Sequence, residues 1–196
     1  MKFITLGPAG NNHELVTRRY LDFHGLSATA TLTLTGDFAE AVAAVLVGEA
    51  DFLVQCAVHP DCTATMAKSF QGLHAVDTFL SPSRDLAIIR RKDAAPTGAL
   101  AVMSPTLDYI DASGWDRIDL VPTVSDVAQG LIDGTYVEGL AYASLAEAHP
   151  DILKIEHFIG TVDDAWIVYG RTRVTEGRLL AWPDSPASRL YRAQTA

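Results

Sequence analysis

The sequence predicts an α/β protein of two lobes with two crossing connections. Three observations predict it. Strand-like and helix-like segments alternate along the chain, and several helices open on capping residues. A second β/α series begins after a break at Ala94-Ala-Pro-Thr-Gly98. The two series are joined near 86–90 and again near 165–169, both apolar stretches. The lobes that follow are 1–85 plus 165–196, and 86–164.

Each element has a local reason. Lys2-Phe-Ile-Thr-Leu6 is the first strand, and an amphipathic helix over 12–24 follows it. Ala28-Thr-Ala-Thr-Leu-Thr-Leu-Thr35 alternates strictly, which predicts a strand with one wet face. Asp37-Phe-Ala-Glu40 opens a helix in the manner of a capping box, with Phe38, Val42, Val45 and Leu46 on one side, and Gly48 closes it. Residues 51–56 read as a buried parallel strand. A short helix over 62–70, a strand over 74–79, a loop over 80–85 and an extended stretch over 86–90 complete the first series. The second has strands over 99–103, 118–121 and 139–142. Its helices fall over 105–111, 124–133 and 145–149, two of them behind Thr123-x-x-Asp126 and Ser144-x-x-Glu147. Trp166-Ile-Val-Tyr169 is the last strong strand. The polar tail from Pro183 holds one terminal helix or frays.

Composition removes several function classes. The 196 residues carry 15 Lys and Arg against 24 Asp and Glu, a formal charge of −9. Nucleic-acid binding of a general kind needs a basic face, so no such partner is expected. No apolar run reaches membrane-spanning length, and no basic segment leads into a secretory core, so no membrane association and a cytoplasmic location are expected. Cys56, His59 and Cys62 have a C-x2-H-x2-C spacing, but structural zinc normally takes four ligands, and Cys56 ends a buried strand. A reduced, packed cysteine and no metal are expected.

The richest segment is Leu6-Gly-Pro-Ala-Gly-Asn-Asn-His-Glu14, between the first strand and the first helix. Gly7 and Gly10 permit a tight turn and close approach to a ligand. Asn11 caps the helix, with Glu14 three residues on. Free amides over Gly10, Asn11 and Asn12 would attract an anion. His13 lies in the first helical turn, where the dipole disfavours imidazolium. In a two-lobed α/β protein the ligand sits between the lobes, at helix starts beyond the carboxyl ends of strands. The loops of interest are therefore 7–13, 55–62, 80–85, 103–106, 123–126 and 160–165.

Gly7-Pro-Ala-Gly10 with Glu14 resembles the opening G-P-x-G-T-F-S-E motif of prephenate dehydratases. The likeness continues in the helix and turn over 39–51, in the helix start over 123–128 (S-T-A-E-A-A in the family), and in Gly139-Leu-Ala-Tyr-Ala-Ser144 (A-A-I-A-S). It covers most of 3–170. The resemblance implies a two-lobed, periplasmic-binding-protein-like (type 2) fold, a small-molecule carboxylate as ligand and a homodimer. The departures are specific. The family's P-I-E-N-S segment falls on Cys56-Ala-Val-His-Pro60, and its T-R-F motif falls on Asp164-Ala-Trp166. The threonine and arginine that the family links to dehydration and carboxylate binding are absent there. The family's phenylalanine-sensing domain has no counterpart in these residues. Some relatives decarboxylate prephenate without forming an aromatic ring, a reaction that does not need that threonine.

His13 and His59 thus stand at cleft positions and are the candidate acid or base residues, since histidine titrates near neutral pH. Gln55 orients a ligand or bonds the neighbouring loop. Arg84 grips a carboxylate or is a solvated loop residue. Ser81 and Ser83, which flank Pro82, are possible donors. Ser104 and Thr123 face the cleft or simply cap helices. Asp164 serves as acid, base or turn residue, and Trp166 packs in the hinge or stacks a ring. The function expected is a cytoplasmic lyase on a small carboxylic acid, a cyclic one included, decarboxylase-like and without cofactor. The alternatives are a small-acid sensor, and a hydrolase or isomerase in which His59 activates water.

Overall fold

A computed structural model describes residues 1–194. Its two five-stranded sheets share one plan. The first has the order β2-β1-β3-β10-β4 and the second β7-β6-β8-β5-β9. The first contains β1 (Lys2–Leu6), β2 (Thr31–Thr35), β3 (Phe52–Cys56), β4 (His74–Pro82) and β10 (Asp163–Gly170). The second contains β5 (Leu86–Arg91), β6 (Ala99–Met103), β7 (Arg117–Val121), β8 (Glu138–Tyr142) and β9 (Leu153–Gly160). In each, three parallel strands are followed by an antiparallel one. In the first sheet that strand is β10, which returns from the second and lies between β3 and β4. The chain crosses between the sheets after Pro82 and after Gly160.

Three helices form where the caps specify them, whereas the cap expected at Ser144 is not made, since Ser144 is already the first residue of its helix and Ala143 stands before it. For α1 (Asn12–Phe23), the Asn11 side chain accepts from the Glu14 N–H at 2.9 Å, and Glu14 Oε2 accepts from the Gly10 N–H at 2.7 Å. Gly10 holds φ +85°, a conformation costly for any residue with a Cβ. For α2 (Phe38–Val47), Asp37 accepts from the Glu40 N–H at 2.8 Å, and Gly48 ends the helix at φ +86°. Thr123 caps α4 (Val124–Asp133) in the same way. The remaining helices are α3 (Cys62–Ser69), α5 (Ser144–Ala148) and α6 (Pro186–Gln194).

The core follows the two-residue period of the strands. On one face of the first sheet, Ile4, Leu53 and Tyr169 pack with Phe38, Ala41 and Val45 of α2. On the other, Phe3, Val54, Cys56, Trp166 and Val168 pack with Val16 and Leu21 of α1. In the second sheet Ile89, Ala101 and Ala141 meet Val127 and Leu131 of α4. Each such large apolar side chain stabilises the fold by about 1.5–3 kcal/mol when fully buried.

Several sequence expectations need correction. The second strand begins at Thr31, because 28–30 form a turn whose Ala30 N–H donates to Leu26. The strand expected over 74–79 runs on to Pro82, since β10 pairs with it to that point, so the loop is confined to 83–85. The helix expected over 105–111 is a 3-10 segment, Ser104–Tyr109, in which Pro105 supplies no amide. β3 is parallel to β1 but antiparallel to β10. Strand β9 was not expected. It is an edge strand with an irregular register against β5, and the polar residues in Lys154-Ile-Glu-His157 break the periodic signal.

Candidate functional site

A cavity of about 350 Å³ opens between the sheets. Its walls are the carboxyl ends of the parallel strands and the turns that follow them. The β1–α1 turn brings Leu6 and Asn11–His13, and the β3–α3 turn brings Cys56, Val58, His59 and Pro60. The second sheet contributes Met103, Thr106, Tyr109, Thr123, Val124, Ser125 and Tyr142. Ser83, Asp164 and Trp166 close it at the crossings.

His13 and His59 both reach this cavity, with ring centroids 5.7 Å apart and edge-on. His13 is the deeper. It packs edge-on against Trp166 at 5.1 Å and near Phe38 at 5.4 Å, and its Nε2 faces the Cys56 N–H at 3.4 Å. Burial, and then the nearby His59, push its pKa down from 6.5 to about 3. The unfolded chain takes up a proton on this ring below pH 6.5, and the folded chain refuses it until about pH 3. Stability is therefore expected to fall as the pH drops through that window, by up to about 1.4 kcal/mol per unit. Urea unfolding of the native protein and of His13→Asn, from neutral pH downward, checks this: the variant loses the slope that His13 supplies.

His59 is half-buried and differently set. Its Nδ1 accepts from the Asp61 N–H at 3.2 Å, which places the hydrogen of the neutral ring on Nε2. Burial lowers its pKa, and the Asp61 carboxylate, 3.8 Å from Nδ1, opposes that. Its ring stands 4.8 Å from Phe38.

Asp164 is buried at 7% exposure, and the Ser83 hydroxyl donates to its Oδ2 by a short hydrogen bond. The register of β10 on β4 sets this up, because Asp164 stands opposite Ser81 and the chain then turns to bring Ser83 inward. Ser81 itself is buried outside the cavity lining and bonds weakly to the Pro82 carbonyl. Trp166 forms the cavity floor, stacked near Phe79 at 6.5 Å.

The expected anion cradle at the first helix is largely spent. The Gly10 N–H goes to Glu14, and the Asn11 side chain accepts from the Glu14 N–H and donates to the Leu6 carbonyl. The Asn12 side chain accepts from the Arg84 N–H at 2.9 Å. Arg84 lies outside the cavity lining, with its guanidinium carbon 5.6 Å from the centre of the Tyr142 ring. These contacts tie the first helix, the crossing and the second sheet together rather than gripping a ligand.

Gln55 is fully buried outside the lining, and neither atom of its amide has a partner among the described residues. It faces the α2 side of the sheet, opposite Ile167, whereas Cys56 beside it faces the α1 side. Ser104 is exposed and outside the lining. Thr123 lines the cavity while capping α4. Tyr109 and Tyr142 line the cavity without having been singled out from the sequence. Tyr142 ends a parallel strand, so the rule that directed attention to strand ends would have found it; Tyr109 follows an irregular 3-10 segment and carried no such signal.

Among the described residues, no lysine or arginine and one carboxylate, that of Asp164, line the cavity, and both of its histidines have depressed pKa values. First-turn residues of α4, Val124 and Ser125, offer the other electrostatic feature, the positive end of a helix. Among the described residues no group of three or more His, Cys, Asp or Glu is arranged to hold a metal, and no helix is long and apolar enough to cross a membrane.

No protein-family model and no curated protein sequence matches the chain. Solved structures do. A prephenate dehydratase from Arthrobacter aurescens, in complex with L-Phe, matches 97% of this chain over 70% of its own length, at 20% identity and a TM-score of 0.64. The prephenate dehydratase of Staphylococcus aureus matches 89% over 67% of its own length, at 16% identity and a TM-score of 0.60. The periplasmic VFT2 domain of Bordetella pertussis BvgS matches 87% over 80%, at 11% identity and a TM-score of 0.53. The chain has the two-lobed, periplasmic-binding-protein-like fold that prephenate dehydratases share.

Proposed function

We propose that the chain is a lyase that takes a compact, largely apolar carboxylic acid into the interlobe cavity and removes a carboxyl group from it, without a cofactor. The observation that carries the reading is a cavity lined, among the described residues, by two histidines and no lysine or arginine. A carboxylate there meets apolar walls, the first turn of α4 and the buried Asp164 side chain. Such surroundings stabilise a compact anion poorly and a dispersed one better, so the charge that spreads as the carbon–carbon bond breaks is favoured over the starting carboxylate. The electron pair of that bond stays on the carbon framework, where a conjugated system accepts it. Carbon dioxide leaves, and a proton from His59 ends on carbon. His13, with its Nε2 turned to the Cys56 amide, holds the neighbouring ring in place.

A cyclic acid related to prephenate fits this chemistry, and the likeness to two prephenate dehydratases supports the choice. The proposal includes a cytoplasmic setting and a homodimer. Incubation with prephenate and related cyclic acids, following carbon dioxide and ultraviolet absorbance together, is expected to show gas release in step with a spectral change and no aromatic product. Absence of turnover on all of them would remove the reading.

A sensor is the second reading, favoured by the likeness to a periplasmic VFT2 domain and by the engagement of His13 with backbone. An acid bound tightly and recovered unchanged after long incubation would establish it.

A further inference from the structure

The deepest charge in the cavity has the wrong sign for a simple acid. Asp164 is 7% exposed, and the Ser83 hydroxyl, a neutral group, donates to its Oδ2. No ion pair involves it among the described residues, and no lysine or arginine lines the cavity. A carboxylate taken from water without a cation costs several kcal/mol, and one hydroxyl donor returns only part of that. The aromatic surroundings of this group are also those that a cation prefers. The Trp166 ring lines the same cavity two residues along, and Tyr109 reaches it from the second sheet. Burial first, and then the Asp164 charge, raise the pKa of Tyr109; burial raises that of Cys56 to about 11, with the Val58 amide opposing the rise and the Asp164 charge adding to it.

On the opposite wall, Val124 and Ser125 are the first two residues of α4, and the Thr123 cap engages the Asp126 amide and the exposed Asp126 carboxylate rather than their amides. One cavity of about 350 Å³ thus offers an acid on one side, a helix start on another and apolar walls between.

We propose that the ligand is a compact, largely apolar amino acid whose ammonium group pairs with Asp164 while its carboxylate faces the first turn of α4. The inference rests on the reading of the cavity as a site for a small acid and narrows it to a zwitterion. Ser83 holds Asp164 Oδ2 in place and leaves the remaining lone pairs for the ammonium hydrogens. The Trp166 and Tyr109 rings add attraction for a cation that a neutral group would not feel.

Three ligands with one carbon framework separate the possibilities: cyclohexylalanine, 3-cyclohexylpropanoate, which lacks the ammonium, and 2-cyclohexylethylamine, which lacks the carboxylate. Calorimetric titration of the native protein is expected to show the amino acid binding at least about tenfold more tightly than the propanoate. Asp164→Asn, checked for native circular dichroism, is expected to erase that preference and leave the affinity for the propanoate unchanged or improved. Propanoate bound as tightly as the amino acid by the native protein overturns the zwitterion and leaves the small-acid reading standing. The comparison among ligands on the native protein decides this even if the variant does not fold. Amine bound as tightly as the amino acid overturns the carboxylate seat on α4. No binding of any of the three at millimolar concentration overturns the inference and the small-acid reading together.

Discussion

Trp166→Ala is expected to destabilise the protein by about 3–5 kcal/mol, the largest single-residue effect in the first sheet. The side chain is 1% exposed and sits on β10, the strand that returns from the second sheet to lie between β3 and β4. It stands opposite Cys56 on one neighbour and Phe79 on the other. Truncation leaves a cavity flanked by the His13 and Phe79 rings, neither of which can move inward without leaving its own packing. The indole N–H has no partner among the described residues, so the cost is one of packing. Because a domain of this kind is stable by only about 5–15 kcal/mol, the loss should lower the urea midpoint greatly at an unchanged slope. Trp166→Phe retains most of the volume and should cost much less. A midpoint within experimental error of native for Trp166→Ala would show that the floor of the cavity is not part of the core.

That residue also marks how far the sequence could be read. Trp166-Ile-Val-Tyr169 announced a strand, and the structure confirms a strand there, but its partners lie more than 80 residues away and no local pattern names them. The caps were legible because they are local: Asn11, Asp37 and Thr123 each bond an amide three residues on. β9 escaped because an edge strand tolerates polar residues on both faces. In the site, the strand-end rule pointed to the loops of His13, His59, Thr123 and Asp164, and the rewritten last motif to Trp166, and all five line one cavity. Gln55 failed for a period-two reason, since it faces the α2 side of its strand while Cys56 faces the α1 side. Arg84 failed for a tertiary one: its backbone donates to the Asn12 side chain and its guanidinium lies by the Tyr142 ring. Gly10 and Asn11 were correctly read as a tight, capped turn, and that same capping uses the groups that an anion would need.

His59→Ala is expected to lower turnover by about 10²–10⁴-fold while changing ligand affinity by only a small factor. Two rings compete for the role of proton donor, and their settings divide them. His13 lies deeper, accepts from a backbone amide and stays neutral down to about pH 3, so it carries no transferable proton near neutrality. His59 is half-buried, and the Asp61 carboxylate beside Nδ1 supports the imidazolium that burial opposes. A proton donor of this kind works in its charged form. With its pKa held below 6.5, the charged fraction grows as the pH falls from about 8, so turnover should rise by nearly tenfold per unit and level off below that pKa. The stability lost through His13 acts in the opposite direction at lower pH, so the rise is read in the upper part of the range, with folding followed in parallel. His59→Ala should flatten the profile, and added imidazole should restore part of the rate, which a purely structural role would not allow. An unchanged profile in the variant would clear His59 of proton transfer and leave the cavity as a binding site alone.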